Sequence, residues 1–288
     1  MTLVSDILVP LDGSREALKG LGVATWLGAR LGARVHVLNA GEPLPEGQAL
    51  ARLGVPEPYR PRVEVHQTRG AAADTILAAA EGYRAGLVVM TARGESAAAG
   101  TADAAQIVGH VTREVIERSR APVLVLPPVY EEALPWRSAL VPLSGEARTD
   151  ESLTLALHLA HALNVRVAIA HVADTEGGEA GGRYADELHH EFAQSLNELV
   201  ARACPLCSAE ERSRIEAFHL AQGDIAEEIE RLIGRVNASV LVVGWHGDFM
   251  VGHAQVLKML IRRIRCPLLL VKPQPREPFR LKVGEAFG

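Results

Sequence analysis

A chain of 288 residues with 48% apolar residues can bury one large core or two of ordinary size. Its net charge of −5, its 30 scattered basic residues and its 4% aromatic content argue against a duplex-binding face or a base-stacking platform. No run of about 18 apolar residues occurs and no basic segment precedes an apolar one at the start, so a soluble cytoplasmic protein with neither nucleic-acid nor membrane partners is expected. Three cysteines, Cys204, Cys207 and Cys266, are too few for a disulfide framework and fit a reducing compartment.

In chain order, the apolar run Ile7–Leu11 stops at Asp12-Gly13-Ser14, which reads as a buried strand delivering an acid to a sheet edge. Arg15 to about Leu31 carries Leu18, Leu21, Ala24 and Leu27 at helical spacing, and Ala33–Ala40 is a second strand. Gly41–Pro61 is a Gly- and Pro-rich loop with a short helical piece near Ala49–Leu53. Arg62–Gln67 alternates as a strand, Ala72–Arg84 is an Ala-rich helix, and Gly86–Met90 is apolar on both faces, as strands inside a parallel sheet are. A polar stretch, Thr91–Ala105, leads to a helix at Ile107–Ser119 and a last strand beginning at Pro122.

After the Pro-rich linker Pro127–Pro135 the same order returns. Strands are expected at Ala139–Leu143, Arg166–Val172, Ile215–Ala221, Val240–Val243 and Leu268–Val271, with helices at Asp150–Leu163, Tyr184–Ala203, Ile225–Val236 and His253–Ile264. The two copies share a register. Pro142 echoes Pro10 and Arg166 echoes Arg34 at an offset of 132 residues, Gly223 echoes Gly70 and Gly247 echoes Gly94 at 153, and Pro267 echoes Pro122 at 145. An internal duplication follows. The fold class is therefore α/β, with two tandem doubly wound parallel sheets of five strands each, Rossmann-like. Residues 1–130 form the first domain, 136–273 the second, and 274–288 a tail. In such sheets ligands bind beyond the carboxyl ends of the strands at a switch point, which directs attention to Asp12-Gly13, Asn39-Ala40, Thr91–Gly94 and Gly109-His110.

Val9–Ser14 (VPLDGS) and Val89–Gly94 (VMTARG) carry a resemblance to the universal stress protein family, and the whole chain up to its tail resembles a tandem member. The resemblance implies an adenine nucleotide alpha hydrolase-like fold and a stress-response regulator that binds ATP or AMP. It places Pro10 and Ala40 near the adenine, Asp12 near the ribose, and Met90 and Thr91 at the crossing point. Gly94, Gly109, His110, Val111 and Thr112 then surround the phosphates, where backbone amides at a helix start favour an anion. The match departs from the family pattern at Thr91 for a glycine, Ala97 for a glycine and His110 for a Ser or Thr, and in a Gly94-to-Gly109 gap two residues longer than the family's.

The second repeat has Ser144 in place of the acid, Trp245 and Met250 where small residues are expected, and a shortened loop at Gly247–Gly252, so it is expected to be mainly structural. Its neutral Ser144 could still hydrogen-bond a hydroxyl. No residue is evident to position an attacking water, so at most slow ATP hydrolysis is expected. The alternatives are a nucleotide-free scaffold for a protein or small metabolite, and a zinc-modulated regulator. The last rests on Cys204-Pro-Leu-Cys207, the spacing of a metal half-site or a redox pair, with His189, His190 and His219 in the same region as possible further ligands. The two domains are expected to pack as a pseudo-two-fold pair, with further association into a homodimer left open.

Overall fold

A computed structural model describes residues 4–93, 108–130, 134–143, 150–173, 200, 204–205, 207–245 and 254–273. In the first half β1 (Asp6–Pro10), α1 (Arg15–Leu31), β2 (Arg34–Asn39), α2 (Glu46–Arg52), a 3-10 turn at Glu57–Arg62, β3 (Glu64–Gln67), α3 (Ala72–Gly82), β4 (Leu87–Thr91), α4 (His110–Arg118) and β5 (Val123–Leu126) follow one another. The second half has β6 (Ser138–Pro142), α5 (Asp150–Leu163), β7 (Arg166–Ala173), the short α6 (Ala209–Arg212), β8 (Ile215–Gln222), α7 (Ile225–Val236), β9 (Val240–Gly244), α8 (Gln255–Arg263) and β10 (Leu268–Val271). The ten expected strands are all present. The expected helix Tyr184–Ala203, the loop Gly247–Gly252 with His253, and the tail 274–288 lie outside the described residues, apart from Val200 of that helix.

Each half is a five-stranded parallel sheet, and the two halves join into one ten-stranded sheet of order β3-β2-β1-β4-β5-β10-β9-β6-β7-β8. The seam is the antiparallel pair β5·β10, with Leu124 opposite Leu269, Val125 opposite Leu268 and Val123 opposite Leu270. At the repeat offset of 145, Leu268 is the equivalent of Val123 and Leu270 of Val125. Each cross-pair is therefore the image of the other, and a two-fold axis passes between Leu124 and Leu269, as in an isologous interface.

Alternate residues of every central strand feed two cores, one on each face, which is why the strands are apolar throughout. On one face α1 and α5 cover Val9, Val37, Val89, Val141 and Ile169; on the other, α3, α4, α7 and α8 cover Leu8, Val88, Leu140 and Leu241. Both cores cross the seam. Trp26 of α1 meets Trp136 at 5.2 Å between ring centroids. A Cβ at Gly28 would come within 2.7 Å of Val35 Cγ2, so that glycine lets α1 lie close on β2. Gly20 and Gly22 are buried mid-helix positions of α1. Among the described residues, no helix is long and apolar enough to cross a membrane.

Candidate functional site

The strand order of the first half reverses between β1 and β4, and the ends of these two strands open a cleft. After Pro10 the chain stays pinned to the sheet: the Leu11 amide donates to Leu38 O at 2.8 Å and Asn39 Nδ2 donates to Leu11 O at 2.8 Å. Asp12 then turns the chain. Its Oδ1 accepts from the Ser14 amide at 2.9 Å, Gly13 takes φ +89°, and Ser14 Oγ caps α1 by accepting from the Ala17 amide at 3.1 Å. An Asp, a residue free to take positive φ and a capping Ser are what this strand-to-helix corner requires.

On the other side of the cleft, Thr112 Oγ1 donates to Thr91 O at 3.0 Å and the Gly109 amide donates to Ala92 O at 2.8 Å, tying the first turn of α4 to the end of β4. Thr91 Oγ1 donates onward to Arg93 O at 2.8 Å. The helix begins at Gly109 with no side-chain cap, so its first amides are not satisfied in the usual way. His110 is its first residue; the imidazole is 82% exposed and lies 3.5 Å from Glu114. It is a surface residue of the first turn and does not cap the helix.

The cleft encloses about 250 Å³ and is lined by Pro10, Asp12, Ala40, Met90, Thr91, Gly109, His110, Val111 and Thr112. These are nine of the ten residues that the resemblance selected; Gly94 lies outside the described residues. The volume is close to the lower end of the range usual for small-molecule sites. Leu38, Ala72 and Ile76 also line it. They went unnoticed in the sequence because nothing in a single chain says that the start of α3 closes over β2. Among the described lining residues only Asp12 and His110 are titratable.

The second half repeats the backbone of this corner with different side chains beside it. The Leu143 amide donates to Ala170 O at 2.8 Å, and His171 Nδ1 donates to Leu143 O at 3.0 Å where Asn39 does so in the first half. The Ala92 amide donates to Leu126 O and the Trp245 amide to Val271 O, both at 2.8 Å, so these two residues are structural equivalents. Ala92 is a methyl group; Trp245 puts an indole in the same place, 7% exposed and part of the core that contains Ala170 and Ala226. Ser144 lies outside the described residues, as do Met250 and the rest of that loop.

Cys204 and Cys207 are buried and joined as a disulfide, with 5.3 Å between their Cα atoms. The histidine beside them is His158 of α5, which has a ring nitrogen within 4.8 Å of both sulfur atoms. His219 is not part of this group, and His189 and His190 lie outside the described residues. His158 Nδ1 is 2.6 Å from Glu211 Oε1. That contact, followed by the Ser208 amide, holds the Glu211 carboxyl below its ordinary range. Glu211 also completes a capping box with Ser208. Cys266 sits apart in the core, where burial pushes its thiol up to about 12.

A tandem pair of doubly wound sheets, the first with a cleft at its switch point, defines the class of α/β protein. The family model of the universal stress protein family matches residues 46–127 and 135–272. The chain belongs to that family. Comparison with curated proteins gives no match. A universal stress protein from Archaeoglobus fulgidus is similar in structure at TM-score 0.62 and 17% identity, with 94% of this chain and 97% of that one covered. A putative universal stress protein from Pseudomonas aeruginosa is similar at TM-score 0.65 and 16% identity, covering 94% of each. At such identities the likeness concerns the fold. A universal stress protein solved in complex with cAMP aligns over 48% of this chain and 98% of its own at 20% identity and TM-score 0.37.

Proposed function

We propose that this is a stress-response regulatory protein that binds an adenine nucleotide, ATP or AMP, in the cleft of its first half, with the second half mainly structural. The observation that carries the reading is the meeting of Asp12 with the uncapped start of α4 across one cleft. The carboxylate suits the two hydroxyls of a ribose, and the first-turn amides of His110 and Val111, which no side chain caps, suit a phosphate. Pro10, Ala40 and Met90 provide apolar contact for a base, and Thr112 holds the phosphate end in register through Thr91. Gly94 would complete the phosphate side. The protein acts as a sensor more than as an enzyme, because among the described lining residues Asp12 and His110 alone offer proton transfer and any hydrolysis of ATP is slow.

The test is whether purified protein carries nucleotide, read from the ultraviolet spectrum of the supernatant after denaturation, and whether millimolar ATP or AMP raises its melting temperature. A ligand at 100 times its dissociation constant stabilises by about 2.7 kcal/mol. Protein that arrives empty and is indifferent to both nucleotides would favour a nucleotide-free scaffold.

A zinc-modulated role is a second reading, favoured by the grouping of His158 with Cys204 and Cys207. It applies to the dithiol form, since only thiolates bind the ion. Glu211 behind His158 is the arrangement by which a carboxylate orients a ligating imidazole. Elemental analysis of protein prepared under reducing conditions without chelator decides it, and the absence of zinc ends it.

A further inference from the structure

Towards the amino ends of the strands, away from the cleft, four polar side chains converge on the face that α3 covers. Parallel registers set Leu8 of β1 opposite His36 of β2, and His36 opposite Glu64 of β3. His36 is 3% exposed, and its Nε2 is 2.8 Å from Asp6 Oδ1, which also receives Arg34 at 2.7 Å. The carboxylate keeps a proton on Nε2, so His36 Nδ1 presents a lone pair. That atom lies 3.1 Å from His66 Nε2 and 3.4 Å from Glu64 Oε2. Tyr83 packs on both imidazoles with ring centroids 4.6 Å away, parallel to His36 within 7°. Two rings held in place and a carboxylate at the sheet edge thus offer three donor atoms within 4.8 Å of one another.

We propose that His36, His66 and Glu64 bind a divalent transition-metal ion of the zinc type, with Asp6 as the positioning residue behind His36. Zinc with nitrogen and oxygen ligands at about 2.0–2.1 Å in a tetrahedron sets its donors about 3.3 Å apart. The two separations measured from His36 Nδ1 bracket that value. In the ion-free protein His66 donates from Nε2 to His36 Nδ1. On binding, His66 carries its proton on Nδ1 instead, and both facing lone pairs go to the ion. Two imidazoles select against magnesium and calcium, which take oxygen ligands. Glu64 is 53% exposed on edge strand β3, so the ion can enter from solvent, and three protein ligands leave a fourth position for water. The site is independent of the nucleotide cleft and of the cysteine pair.

The test is equilibrium dialysis of the full chain against zinc and then cobalt(II), in a Cys204→Ser/Cys207→Ser background so that the thiols are not counted. One saturable equivalent is expected, with a cobalt spectrum that shows ligand-field bands and no thiolate charge transfer. Glu64→Gln and His66→Gln alter exposed or half-buried groups and should weaken binding at least about tenfold while the protein stays folded. Asp6→Asn should weaken it about 10- to 100-fold without changing the stoichiometry, as removal of a carboxylate behind a ligand does. Failure of the double-serine chain to take up zinc, or uptake unchanged in both Gln variants, overturns the proposal. Either result leaves nucleotide binding untouched.

Discussion

The two halves of this sheet turn the same backbone corner at their switch points and set different side chains beside it. In the first, Leu11 and Ala92 are tied to Leu38 and Leu126 and the volume beyond them is open; in the second, Leu143 and Trp245 make the equivalent ties and an indole fills the core there. The hydrogen bond to the strand-end carbonyl even survives a change of donor, from Asn39 to His171. The frame of such a domain therefore depends on main-chain pairing and a buried apolar strand, while its capacity for a ligand depends on a few side chains at the rim. Duplication gives the rim freedom to diverge, because one intact frame supports the other across the seam.

The sharpest way to break that comparison is at the axis itself. Leu124→Ala and Leu269→Ala remove equivalent side chains, each 1% exposed, and should each cost about 3 kcal/mol in urea melts. Unequal costs would show that the seam does not treat the halves alike. Asp12→Ala should abolish the stabilisation by ATP or AMP, about 2.7 kcal/mol at 100-fold saturation, while Ser144→Ala leaves it intact, as differential scanning fluorimetry would report. A shift lost in the Ser144 variant instead would move the ligand to the second half. Thr112→Val removes the donor to Thr91 O and should cost about 1 kcal/mol while weakening nucleotide binding, read by titration calorimetry. The smallest effect is chemical. With its thiol pushed up to about 12, Cys266 should resist alkylation in the folded protein at pH 8 and react only on denaturation, followed by mass spectrometry.

Much of the frame was legible in the residues because it rests on local rules. Apolar runs ended by Asp-Gly-Ser or Pro mark strand ends, and the helices Arg15–Leu31, Asp150–Leu163 and Ile225–Val236 follow directly from apolar spacing. Bulky Trp245 could be recognised where a small residue was expected. What stayed hidden depends on register between distant strands. Nothing in the order of residues says that Val123–Leu126 will pair antiparallel with Leu268–Val271 and fuse two sheets. The histidine beside Cys204 and Cys207 comes from α5, some 46 residues earlier in the chain (158 to 204), not from the neighbouring His219. His36 and His66 stand in separate strands, and only the side-by-side placement of β1, β2 and β3 brings them together with Asp6.

Because β5 and β10 occupy each other's free edges, the chain has already consumed the contact through which separate copies of one such sheet could have found each other. Tethering makes that pairing independent of dilution, at an effective concentration set by the short linker. Any larger assembly has to recruit other surfaces, and among the described residues the outermost strands, β3 and β8, lie at opposite ends of the sheet.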